Sequence, residues 1–188
     1  MQLRSRRLLI TGASGAGTTT LGRAIAVRWS VPHADIDDYF WTPTSPPYTD
    51  KRPVDERLSL MHTMFLPRNS WVLSGSLMEW GEAVDDWLDG VVFLTLDHKT
   101  RMDRLKRREV AIFGETIKPG GVNEKEHLEF LDWARGYDDD DFVGRSRVAH
   151  ERWLAALTCP VLRLDGVNPV PSLADAVVAW TDKHLVAQ

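Results

Sequence analysis

Leu8-Leu9-Ile10-Thr11-Gly12-Ala13-Ser14-Gly15-Ala16-Gly17-Thr18-Thr19-Thr20-Leu21 is the stretch whose reading decides the fold. The apolar run 8–11 reads as a buried strand, a glycine-rich turn follows, and residues 19–29 read as a helix. Strand, glycine loop and helix form the setting in which successive backbone amides turn inward around an anion. Gly12 and Gly17 stand at the two glycine positions of G-x-x-x-x-G-K-[ST]. The helix behind them points its partly positive N-terminus at the same spot. The residues expected to cradle phosphate are therefore Gly12, Ala13, Ser14, Gly15, Ala16, Gly17, Thr18 and Thr19. Thr19 falls where a hydroxyl holds Mg²⁺. One position departs from the pattern: Thr18 stands where a lysine reaches the β- and γ-phosphates, so transfer chemistry lacks its nearest cation. The competing reading is a βα turn that binds nothing. Strand, spacing, hydroxyls and helix together weigh against it.

The chain has 188 residues, close to the length of one domain, and 43% are hydrophobic against 27% charged, the balance of an ordinary globular protein. A net charge of −4 argues against a general nucleic-acid surface, and no RNA- or DNA-binding motif is present. Cys159 is the only cysteine, so neither an intrachain disulfide nor a Cys-based zinc site is expected. The apolar run behind Arg4, Arg6 and Arg7 is too short for a signal peptide. No apolar stretch approaches the ~20 residues that span a bilayer, and a reducing cytoplasm is the expected location. The eight tryptophans are scattered and most read as packing residues. Trp41 and Trp80 lie near the loops expected to form a site and are candidates to line a pocket.

Strands are expected at 33–37, 71–75, 91–96 and 161–164, and helices near 53–66, 79–88, 100–113, 124–135, 141–157 and 173–185. Thr100 is the expected N-cap of the helix at 100–113. Residues 43–47 are proline-rich and read as a stiff connection. Strands alternating with helices predict an α/β fold, a three-layer αβα sandwich around a five-stranded parallel sheet with right-handed crossovers. One domain covers 1–188, with 109–147 as a lid insertion. Ligands of such sheets sit beyond the carboxyl ends of the strands.

The residues suited to chemistry cluster at that end. Asp35 and Asp37 share a face if the strand runs through both; one carboxylate would hold Mg²⁺ and the other would accept a proton from a substrate hydroxyl. A helix cap or turn is the alternative use, preferred for Asp38. Arginine makes up 17 of the 23 basic residues, and Arg101, Arg104, Arg107 and Arg108 fall in one helix. Arg104 and Arg108 project from one side of it, suited to phosphate or to a purine face. Arg145 and Arg147 follow the acidic run 138–141 and would swing over a transferred phosphate on a closing lid, or pair with that run. Lys51 and Arg52 are further loop cations. Any of these could supply the charge absent at Thr18. The six histidines are dispersed without metal-ligand spacing, and none is a catalytic candidate.

Together the loop Gly12–Thr19, Asp35-x-Asp37, the strand end Ser74-Gly75 and Asp103-Arg104-x-x-x-Arg108 resemble the P-loop NTPases that phosphorylate small molecules. The adenylate kinase group (nucleoside monophosphate kinase-like) is nearest, with shikimate and gluconate kinases as cousins. The resemblance implies ATP and Mg²⁺ as cofactors, with Thr19 and Asp35 at the metal and Gly12 to Thr19 on the ATP phosphates. It also implies Arg104 by the adenine, Arg108 toward the phosphates, Asp37 on the acceptor and Gly75 near it. Two departures stand out: Thr18 replaces the family's lysine, and the third strand ends Leu73-Ser74-Gly75 where adenylate kinases carry an aspartate. The implied activity is transfer of the γ-phosphate of ATP to a nucleoside monophosphate or small hydroxylated metabolite. A nucleotide-binding regulator or weak ATPase without an acceptor is the alternative. The partner is then a small molecule rather than a membrane or nucleic acid.

Overall fold

The computed structural model describes residues 6–185; Arg4 lies outside them. The order is β1 (Arg6–Gly12), α1 (Thr18–Trp29), β2 (His33–Asp35), α2 (Ile36–Phe40), α3 (Val54–Met64), β3 (Ser70–Ser74), α4 (Glu82–Asp85), β4 (Gly90–Thr95), α5 (His98–Phe113), α6 (Glu124–Arg135), α7 (Arg147–Ala156), β5 (Val161–Asp165) and α8 (Val170–His184). The strands form one five-stranded sheet, ordered β2-β3-β1-β4-β5, and every pairing is parallel.

Alternation along the strands builds the two outer layers. Leu8, Ile10, Val72, Val92 and Leu94 face Leu21 and Ile25 of α1 and Leu173 and Val177 of α8. Leu9, Trp71, Leu73, Val91 and Phe93 face Met61 of α3, Val84 of α4 and Leu154 of α7. The central strands are thus apolar on both faces, as parallel sheets require. Met102, Leu105, Leu131 and Ala134 close a smaller cluster between α5 and α6. The register aligns Ile10 with Ser74 and Asp35 with Ser74, so the ends of β1, β2 and β3 lie in one row.

Several expected boundaries shift, each for a local reason. The second strand stops at Asp35 because the Asp35 carboxylate accepts from the Asp37 amide and caps α2. Asp35 and Asp37 therefore do not share a strand face. Asp97, not Thr100, caps α5: its carboxylate accepts from the Thr100 amide at 2.9 Å. The expected helix 79–88 shrinks to Glu82–Asp85, because Glu79 has φ +72° and the chain turns at Leu77. The expected helix 141–157 begins only at Arg147, since Gly144 has φ +130° and Ser146 caps α7 through the Ala149 amide.

Candidate functional site

The loop after β1 is shaped to receive something small and negative. Gly17 (φ +102°) caps α1 with no side chain over the helix end, and α1 has no acidic residue in its first turn. A Cβ on Gly12 would stand 2.4 Å from the Leu94 carbonyl oxygen, so only glycine lets β1 pass β4 there. Inside the loop the Ala16 amide donates to the Ala13 carbonyl, and the Leu21 amide to that of Gly17. Among the described residues nothing accepts from the amides of Ser14, Gly15, Gly17, Thr18 and Thr19. Unpaired amides at a helix head form an anion site.

Oxygen donors gather beside it. The Thr19 hydroxyl donates to Asp35 Oδ2 at 2.8 Å, and the Ser74 hydroxyl reaches the same oxygen at 3.4 Å. His33 Nε2 lies 3.0 Å from that hydroxyl, and burial lowers the His33 pKa, with Asp35 opposing. A hydroxyl and a carboxylate in contact suit a hard cation such as Mg²⁺, which takes one or two carboxylates and completes its shell from phosphates and water. Among the described residues no group of three or more His, Cys, Asp or Glu gathers, so a softer, protein-saturated metal site is not formed.

Asp37 is the second residue of α2, in its first turn. The residue is exposed, while protein surrounds much of its carboxylate. That withdrawal from water and then the Asp35 charge raise its pKa, while Arg145, Arg108 and the Trp41 indole N–H hold it back. A raised carboxylate is suited to taking a proton.

The structure separates the arginines. Arg145 Nη2 donates to the Ser14 hydroxyl in a short contact, and its guanidinium lies 4.8 Å from the Trp133 ring centre. Arg101 is buried; it donates to the carbonyls of Ser14 and Ala134 and to Asp138. Arg104 donates to the Gly166 carbonyl and comes within 3.8 Å of a Cβ built on Gly17, at the head of α1. Arg108 is exposed, 3.8 Å from Glu109, and acts on Asp37 only through space. Arg147 is paired with Asp138 at 2.7 Å. Gly75 has φ +121° and lies against Ile36 at the foot of α2.

Two features escape the sequence reading. Arg57 of α3 is 6% exposed, stacked on the Phe40 ring at 3.8 Å and facing Trp80 at 5.1 Å. Its Nε donates to the Arg52 carbonyl, and among the described residues no carboxylate pairs with it. It points inward, whereas Val54, three residues before it on α3, is 43% exposed. A cation on an otherwise apolar helical stripe was the available signal. His150 is the second: fully buried, it joins the Thr11 hydroxyl (3.2 Å) to the Tyr137 hydroxyl (3.0 Å). Burial and then Arg145 push its pKa down to about 3, and burial pushes Tyr137 up to about 12. Both stay neutral and tie β1 to the segment after α6.

Residues 8–118, more than half of the chain, match the model of the AAA domain family. The chain is also 36% identical over 179 residues to the uncharacterized protein YqaC of Bacillus subtilis (strain 168), spanning 95% of this chain and 99% of that protein. The chain belongs to the AAA domain family. Among solved structures it resembles a shikimate kinase from Bacteroides thetaiotaomicron (TM-score 0.54, 17% identity, 94% of this chain and 98% of that one). A gluconokinase from Sinorhizobium meliloti 1021 is similar too (TM-score 0.53, 14% identity, 97% and 94%). The fold is accordingly that of a P-loop kinase-like protein. No helix among the described residues is long and apolar enough to cross a membrane.

Proposed function

We propose that the protein is an ATP-dependent kinase, acting in the cytoplasm, that moves the γ-phosphate of ATP onto the hydroxyl of a small anionic metabolite or onto a nucleoside monophosphate. The observation that carries this reading is the set of unpaired amides at Ser14, Gly15, Gly17, Thr18 and Thr19, beside the Thr19–Asp35 pair. Gly12 to Thr19 hold the phosphates, and Arg104 lies by the adenine. Thr19 and Asp35 would hold Mg²⁺, which would supply positive charge to offset that of the phosphates. Asp37 takes the proton of the acceptor hydroxyl as its oxygen bonds to the γ-phosphorus and the β–γ P–O bond breaks, releasing ADP. Arg108, Arg145 and Arg147 belong to or face the 109–147 lid and bias the site toward negative charge. Arg57 receives the acceptor's own anionic group between Phe40 and Trp80. The order of elements keeps an adenylate kinase-like frame; Ser74-Gly75 at the acceptor side favours a hydroxylated metabolite over AMP.

A panel of hydroxy acids, sugar acids and nucleoside monophosphates with γ-labelled ATP and Mg²⁺ tests the proposal. Label on one acceptor supports it. ATP bound with no acceptor labelled supports instead the second reading, a nucleotide-binding regulator, which Thr18 favours.

A further inference from the structure

The loop lacks its lysine, and several cations lie within the same end of the sheet. We infer that Arg145 takes the place of that lysine, donating to the β- and γ-phosphate oxygens of the nucleotide from the segment between the acidic run and α7. The inference rests on the loop being a nucleotide site.

Most of the other candidate cations face other groups, and Lys51 lies over the Phe40 ring at 5.9 Å. Arg101 gives its two Nη groups to two carbonyls and to Asp138, which neutralises it; only its buried Nε has no partner. Arg147 is held by the other oxygen of Asp138. Arg104 bonds Gly166, and Arg108 is exposed beside Glu109. Arg52 holds the carbonyls of Tyr39 and Trp41, on the acceptor side. Arg145 alone among these touches a loop side chain, the Ser14 hydroxyl, and among the described residues no carboxylate lies within ion-pair distance of it. Its Nε is buried without a partner. The guanidinium is aimed by the face of Trp133, so its position is set before any anion arrives. A cation that is oriented, covered and lacking its counter-charge beside a row of free amides matches a phosphate. The neutral Thr11–His150–Tyr137 chain adds no competing charge at the loop's root. A lysine rising from α1 and an arginine from the 139–146 segment are two routes to one charge, and this chain uses the second.

The experiment is a double-mutant cycle on nucleotide affinity measured by calorimetry with ATP, ADP and AMP, in magnesium. Arg145→Met is expected to weaken ATP and ADP by about ten- to a hundredfold, as loss of a charged hydrogen bond does, and AMP by less than threefold. Thr18→Lys is expected to restore at least tenfold in ATP affinity in Arg145→Met, and to gain clearly less in the native background, where Arg145 already supplies the charge. Wild-type-like affinity of Arg145→Met, or an equal gain from Thr18→Lys in both backgrounds, overturns the inference. If Arg145→Met does not fold, Thr18→Lys alone decides, because a gain above tenfold means the lysine's place was vacant. Failure of the native protein to bind ATP at all overturns the nucleotide reading itself, and is seen without any variant.

Discussion

Replacing Arg57 by Met separates a structural arginine from one kept for a ligand. In the native protein the guanidinium gains a bond to the Arg52 carbonyl at 2.6 Å and the faces of Phe40 and Trp80. A hydrogen bond from a charged donor contributes about 1.5–3 kcal/mol. Cation–π contact adds roughly 1–2 kcal/mol. Against these stands the cost of covering a charge with no carboxylate beside it; burial and then Arg52 lower the Arg57 pKa. The side chain is covered by rings rather than deeply sunk, so that cost is on the order of 3 kcal/mol. Methionine keeps the unbranched stem and recovers about 1 kcal/mol of sulfur–aromatic contact. The terms nearly cancel, and Arg57→Met is expected to unfold within about 1 kcal/mol of the native protein in urea. Its function is not expected to survive as well. Losing the charged pair to an anionic acceptor costs about 2–4 kcal/mol, a rise in acceptor KM of at least tenfold, with ATP affinity unchanged. An unchanged acceptor KM, or a stability loss above 3 kcal/mol, refutes the reasoning.

Three further outcomes are expected. Asp37→Asn lowers phosphoryl transfer by about 10²–10⁴-fold, because an amide cannot take the hydroxyl proton, while calorimetric ATP affinity stays within threefold. Thr19→Ala and Asp35→Asn each remove the magnesium-dependent part of ATP affinity, and a titration in chelator then matches the native protein's. His150 makes stability pH-dependent. Its folded pKa, about 3, lies below its ordinary 6.5, so its contribution is full above pH 6.5 and is lost as pH falls toward 3. Between pH 7 and pH 5 this amounts to about 2 kcal/mol, read from urea midpoints, and His150→Gln flattens that slope.

What could be read from the residues was what is local. The run 8–21 carries strand, turn and helix signals within fourteen positions, and the structure has β1, the loop and α1 there. The parallel sheet follows from the alternation of elements, and the five strands lie where apolar runs stand between helices. Boundaries failed where one side chain competes with the backbone. Asp35 is both a neighbour of Thr19 and the cap that ends its own strand, and Ser146 sets the start of α7. Arg57 is silent in the sequence because its meaning lies in Phe40 and Trp80, seventeen residues before and twenty-three after it, which only the fold assembles.

The acidic run shows how such long-range pairing serves the site. Asp138 accepts from Arg101 of α5, Arg147 of α7 and His98. Burial pushes its pKa up, yet the bonds from Arg147, Arg101 and His98 outweigh that and hold it below the ordinary carboxylate range. One carboxylate thus anchors both ends of the irregular stretch 139–146 to the sheet's helices. Arg145, inside that stretch, has no helix or strand to aim it; its reach toward Ser14 depends on the Trp133 face and on a stretch whose ends Asp138 anchors. A lysine on α1 needs no such frame, because the helix fixes it. A chain with threonine at 18 must build the frame elsewhere. In sequence the run 138–141 looks like solvated surface charge, but its first member is a structural ion at the foot of the site.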